Sequence, residues 1–228
     1  MRPDSPYDLV ISLGGRCDVS FQIRQYFDLE RTYFFDWLIT PISSVLALLK
    51  SDFADVCLRE NLKIVPAAGS GGTAQTVIDV KYGFALHHEF TRTPENRISD
   101  AFEAEIENVQ AKMRVLAGRV LEALDSRQRI LFVRRGGDFT MPGEIQHTPD
   151  PAFATSLHAG LKDRAPTLNF DLLAMNMPAP PEEDRPKTLI MGQVHPPLQG
   201  EWPDPTLNWR GSTKSYTAHF DRLLAARA

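Results

Sequence analysis

The residues with chemistry to offer stand where apolar runs stop. Leu9-Val10-Ile11-Ser12-Leu13 gives way to Gly14-Gly15-Arg16-Cys17, so a cysteine follows two glycines at the expected start of a helix. Backbone N–H groups and the helix dipole at such a point favour an anion, which would make the thiol ionise more readily. The glycines let donors come close to an oxyanion or a phosphate. Together these are the surroundings of a nucleophilic thiol. The plainer reading of the same residues is a small buried side chain beside a tight turn. Cys57, inside Phe53-Ala54-Asp55-Val56-Cys57-Leu58, has no comparable context and is assigned to the core.

Other strand ends supply partners. His87 and His88 close the extended segment Tyr82-Gly83-Phe84-Ala85-Leu86. Period-two alternation puts His88 on the face of Phe84 and Leu86 and turns His87 to solvent. Arg134 and Arg135 end a later strand, and Asn176 ends another. Asp36, within Phe34-Phe35-Asp36-Trp37, is an acid among aromatics: buried, it must be paired or strongly shifted, and its plainer role is a local cap. Cys17 as nucleophile, His88 as base, and Asn176 or Asp36 as the group orienting the base give the logic of thiol acyl transfer. Ser12, Gly14, Gly15, Arg16 and Arg134 would then line the oxyanion and substrate side. His195 and His219 are alternative bases.

These residues need a scaffold that gathers strand ends. The runs Leu9–Leu13, Thr76–Val80, Tyr82–Phe90, Arg129–Arg134, Asn169–Met175 and Thr188–Val194 read as strands. Helices are expected over Asp18–Phe27, after Pro41, from Pro94 to Leu124, over Asp150–Asp163 and over Thr217–Ala226. The long one places Ile98, Phe102, Ile106, Val109, Met113, Leu116, Val120 and Leu124 on one face, so one side of it should meet water. Strands alternating with helices predict an α/β fold, three-layer α/β/α with a mostly parallel sheet. The reading is one domain over 1–228 with a loop-rich insertion around 54–96. In such sheets sites form outside the carboxyl ends of the strands.

Composition narrows the partners. The 228 residues carry 25 Lys+Arg against 29 Asp+Glu, a net charge of −4, which argues against a nucleic-acid binder held by its basic charge. Two cysteines are too few for a disulfide scaffold and suit a reducing compartment. No apolar run reaches the length of a membrane span, and the first residues lack a signal-peptide pattern, so a cytoplasmic protein is expected. The six histidines are scattered without metal-ligand spacing, and no cofactor is implied.

The phrase Ser12-Leu13-Gly14 with Cys17, then Asp36-Trp37, His88-Glu89-Phe90, Val133-Arg134 and Asn176, resembles a bacterial family of unknown function described as papain-like cysteine peptidases. Trp209, Gly211 and the terminal segment through Leu224 extend the likeness. The resemblance implies a cysteine-dependent hydrolase with Cys17 and His88 at its centre, acting on a peptide. Glu89 stands where the family usually has Asp, and Met177 where a histidine is common. A papain-like α+β fold is the alternative that the family description implies. Two other functions compete. One is an enzyme handling phosphates or nucleotide sugars of glycan metabolism, clamped by Arg16, Arg134 and Arg135. The other is a non-catalytic module binding glycan or peptide through Trp37, Trp202 and Trp209.

Overall fold

The computed structural model describes residues 4–136, 139–141, 145–147 and 152–227. Four short runs, β1 (Leu9–Ser12), β5 (Arg129–Arg135), β8 (Asn169–Met175) and β9 (Leu189–Gly192), form one parallel sheet in the order β1-β5-β8-β9. Their side chains alternate between two cores, as period two requires. Val10, Leu131, Val133, Leu173 and Met175 face α1 (Cys17–Phe27) and α5 (Thr213–Arg227) through Val19, Ile23, Phe27, Tyr216 and Phe220. Ile11, Ile130, Phe132, Leu172 and Ala174 face the opposite, larger core. That core is built from α2 (Ile42–Lys50), α3 (Phe102–Leu124) and α4 (Ala152–Arg164). The chain is therefore an α/β fold with helices on both sides of a parallel sheet.

The segment between α2 and α3 adds a separate antiparallel sheet, in the order β2 (Leu62–Pro66), β3 (Gln75–Asp79), β4 (Phe84–Leu86). A backbone hairpin of β6 (Phe139–Met141) and β7 (Ile145–His147) follows β5. Neither β2 nor this hairpin was expected from the sequence. Gly137 and Asp150, expected to close a strand and open a helix, lie outside the described residues. The long helix starts at Phe102 rather than near Pro94. Ile98 is instead drawn into an antiparallel bridge with Arg92 across a turn in which Asn96 takes φ 62°, and its N–H meets Gln75 Oε1. Among the described residues no helix is long and apolar enough to cross a membrane, and no cluster of His, Cys, Asp and Glu could hold a metal ion.

The turn from β1 into α1 is the tightest junction in the sheet. Gly14 (φ +74°) and Gly15 (φ +103°) both lie where L side chains are strained. A Cβ at Gly15 would stand 2.2 Å from the Arg135 carbonyl oxygen. Gly15→Ala is expected to destabilise the protein by roughly 2–4 kcal/mol, from backbone strain and the clash together. Gly118, inside α3 with open space around its Cα, should gain about 0.5–1 kcal/mol on replacement by alanine. Urea unfolding of the two variants checks both signs; equal effects would remove the distinction drawn between the two glycines.

Candidate active site

Cys17 is the first residue of α1. Arg16 before it is extended (φ −143°, ψ 162°), and no side chain caps the helix. The sulfur lies 3.8 Å from Nε2 of His88, within reach of an S–H to imidazole contact. The two residues come from different layers. Cys17 follows the first strand of the parallel sheet, while His88 follows β4 of the antiparallel one.

His88 does not sit on the alternation expected of a strand. β4 stops at Leu86, and residues 87–90 form a bend. The bend reverses the predicted exposures: His88 is the exposed member of the pair and His87 is half-buried. Their rings meet edge to face, with centroids 4.7 Å apart at 87°. Burial pushes the His87 imidazole down to about 4, with His88 and Arg92 adding to the effect, so it stays neutral at pH 7. Packing against this neutral ring restricts rotation of His88. Arg92, which sequence reasoning missed, anchors the bend. Its Nε and Nη2 donate to the His87 carbonyl oxygen at 3.2 and 2.7 Å, and its Nη1 reaches the carbonyls of Gln75 and Asn96. Nothing in the local sequence marks an arginine four residues past the histidine for that task.

The electrostatics differ from those of a free helix N-terminus. Burial raises the Cys17 thiol to about 11, helped by the neighbouring Asp18 carboxylate. Arg16 and the residue's own amide pull the other way and do not prevail. His88 is lowered, first by burial and then by Arg92, with Glu89 opposing. Near neutral pH the pair is accordingly a thiol beside a neutral imidazole. Asp18 is itself held by the Arg135 guanidinium and by a 3.0 Å bond from the Tyr216 hydroxyl on α5. Glu89, its side chain almost wholly buried, is paired at 2.5 Å with Lys112 of α3.

Several expected partners are engaged elsewhere. Asn176 (φ 53°) gives its Nδ2 to the Val194 carbonyl at 2.9 Å and takes the Val194 N–H on Oδ1 at 2.7 Å. Both ends of its amide thus hold the exit of β9. Asp36 is buried and accepts from the Tyr33 N–H (2.9 Å) and the Ser20 hydroxyl (3.2 Å), so it acts as the local cap. Gly14 donates its N–H to Ser12 Oγ at 3.0 Å, which removes that amide from an oxyanion role. Among the described residues the amides of Gly15 and Arg16 have no acceptor, while that of Cys17 faces its own sulfur. Arg134 is 1% exposed and, among the described residues, bonds to the carbonyls of Leu13 (2.7 Å) and Thr40 (2.5 Å), so it is turned inward and away from a substrate. With Arg135 on Asp18, a three-arginine phosphate clamp is not formed; Arg16 alone of the three is exposed. The His219 ring is bound to Gln193 and Arg222; for His195 it is the backbone N–H, not the imidazole, that goes to Ser215 Oγ. Trp202 donates to the Gly211 carbonyl and, with Trp209 and Phe21, surrounds the Arg210 guanidinium; Trp209 also meets Trp37 edge-on.

The Asp36 carboxyl is pushed up to about 6 by burial, against its two hydrogen bonds. A carboxyl whose folded pKa exceeds its ordinary value of about 4 takes up a proton on folding. Its contribution to stability is full below that ordinary value and is lost as pH rises through 6. Asp36→Asn should therefore flatten the fall in stability between pH 4 and pH 7 by on the order of 1–3 kcal/mol, read from urea unfolding at the two pH values. A fall of unchanged size in the variant would contradict this.

No curated protein and no solved structure matches the chain. A protein-family model does, over residues 8–178, about three-quarters of the length, taking in β1, the glycine turn, Cys17, the His88 bend and Asn176. On that match the chain belongs to the family described as "Putative papain-like cysteine peptidase".

Proposed function

We propose that the chain is a cysteine-dependent acyl hydrolase, acting on a peptide or a related acyl compound, with Cys17 as nucleophile and His88 as general base. The observation that carries this reading is the 3.8 Å approach of Cys17 Sγ to His88 Nε2, made by residues 71 positions apart. Contact between a thiol at a helix start and an imidazole is the minimal arrangement for thiol acyl transfer. The family description points the same way.

The neutral resting pair sets the order of events. His88, with its proton on Nδ1, accepts the thiol proton on Nε2 as the sulfur attacks the substrate carbonyl carbon. The negative charge that develops on the carbonyl oxygen is met by the amides of Gly15 and Arg16 at the positive end of α1. The imidazolium then returns the proton to the leaving group as the tetrahedral intermediate collapses to a thioester. Water attacks that thioester with His88 again taking the proton, and the thiol is regenerated. An alternative acceptor in place of water would make the same site an acyltransferase.

The test is alkylation of Cys17 by iodoacetamide, followed by peptide mass mapping. A thiol near 11 left to itself would react slowly at pH 7, whereas base assistance gives a rate that levels off above the imidazole's lowered pKa. His88→Ala should slow the reaction at pH 7 by about tenfold or more. It should leave only the rise towards the thiol's own ionisation. A rate indifferent to His88 across the whole range would end the reading. Cys17→Ala should abolish hydrolysis of any ester or peptide the protein cleaves.

A further inference from the structure

Cys17 and His88 follow strands of different sheets, so something must fix the distance between them. Among the described residues a short path of hydrogen bonds connects their two supports. Four residues before Cys17, the Leu13 carbonyl accepts from Arg134 Nη1 at 2.7 Å. The same guanidinium donates from Nη2 to the Thr40 carbonyl at 2.5 Å. Ile39, next to Thr40, exchanges backbone bonds with Ala85 of β4, at 3.2 Å for Ile39 N–H to Ala85 oxygen and 2.9 Å for the reverse. Ala85 stands three residues before His88.

The guanidinium at the centre of this path is an unusual expense. Arg134 is fully buried, no carboxylate pairs with it among the described residues, and its Nε has no partner. Burying a cation without an acid costs several kcal/mol unless its hydrogen bonds are strong. Filling the space would not require a charge. A rigid planar fork that spans two acceptors at a set separation does require arginine, since a lysine offers a single point of attachment. The glycine turn is shaped around the same group: a Cβ at Gly15 would lie 3.4 Å from Arg134 Cζ, and one at Gly14 would strike Thr40 Oγ1 at 2.4 Å.

We propose that Arg134 is the positioning residue of the site, a buried clamp that holds the Cys17 turn to the Thr40–Ile39–Ala85 path and thereby sets the Cys17–His88 contact. The assignment rests on the Cys17–His88 pair being the reactive one. It gives Arg134 no contact with substrate.

A double-mutant cycle tests it: wild type, His88→Ala, Arg134→Lys and the double variant, with the alkylation rate of Cys17 read across pH and cooperative thermal unfolding as the folding check. His88→Ala should slow the wild type by about tenfold or more at pH 7, and the Arg134→Lys background by less than about twofold. The imidazole inflection should also vanish from the pH profile of Arg134→Lys, a change that loss of stability alone does not produce. If His88→Ala keeps its full effect in the lysine background, the clamp is overturned while the pair stands. If it has no effect in the wild type, the pair falls and the clamp with it. Should Arg134→Lys fail to fold, Ile39→Pro cuts the next link by removing the N–H that meets Ala85. Loss of the His88 effect there supports the path, and an undiminished effect overturns it.

Discussion

A guanidinium buried with no acid beside it among the described residues sits where the parallel sheet meets the loops of the site. Arg134 can remain there only because two main-chain carbonyls, from Leu13 and Thr40, face it from different segments. Those acceptors in turn require the chain to turn sharply after β1, and the sharp turn requires glycine at two successive left-handed positions. The end of β1, the start of α1 and the strand pairing of Ile39 with β4 are therefore one linked arrangement. The contact between Cys17 and His88 lies at its outer end.

The electrostatics reverse a common expectation. A helix N-terminus lowers the pKa of a thiol when the thiol is solvated, but Cys17 is largely desolvated and has Asp18 beside it, and those two effects prevail. In the proposed reaction the sulfur depends on a base within reach instead of on standing ionisation. Asp18 is not free to dominate further, because Arg135 and Tyr216 hold it. Tyr216 lies on α5, beyond the family-matched region, so the terminal helix contributes to the environment of the thiol as well as to the core.

Much of this was legible in the sequence, and the limits have physical causes. β1, β5 and β8 were readable because short apolar runs ended by glycine or polar residues describe buried parallel strands, and the period of α3 was plain from Phe102 onward. Cys17 and His88 stood out because each follows the end of such a run. The cap role of Asp36 was one of its two readings, but nothing local chose between them, and the partners of Asn176 and Arg134 were not legible. Whether an amide, a carboxylate or a guanidinium faces a substrate or another part of the chain depends on partners 16 to 94 residues away: Val194 for Asn176, Ser20 for Asp36, Thr40 for Arg134. The orientation of the two histidines failed for a local reason. β4 is only three residues long, so alternation ended before it reached them.

The central claim is that the fold holds His88 against Cys17 as a pair, and histidine nitrogen NMR reads that most directly. With ¹⁵N-labelled histidine, replacing Cys17 by alanine should move the Nε2 resonance of His88 and its titration midpoint. The resonances of His158, bonded to Thr188, and His219, bonded to Gln193, should stay in place. A His88 signal unchanged by loss of the sulfur would contradict the account.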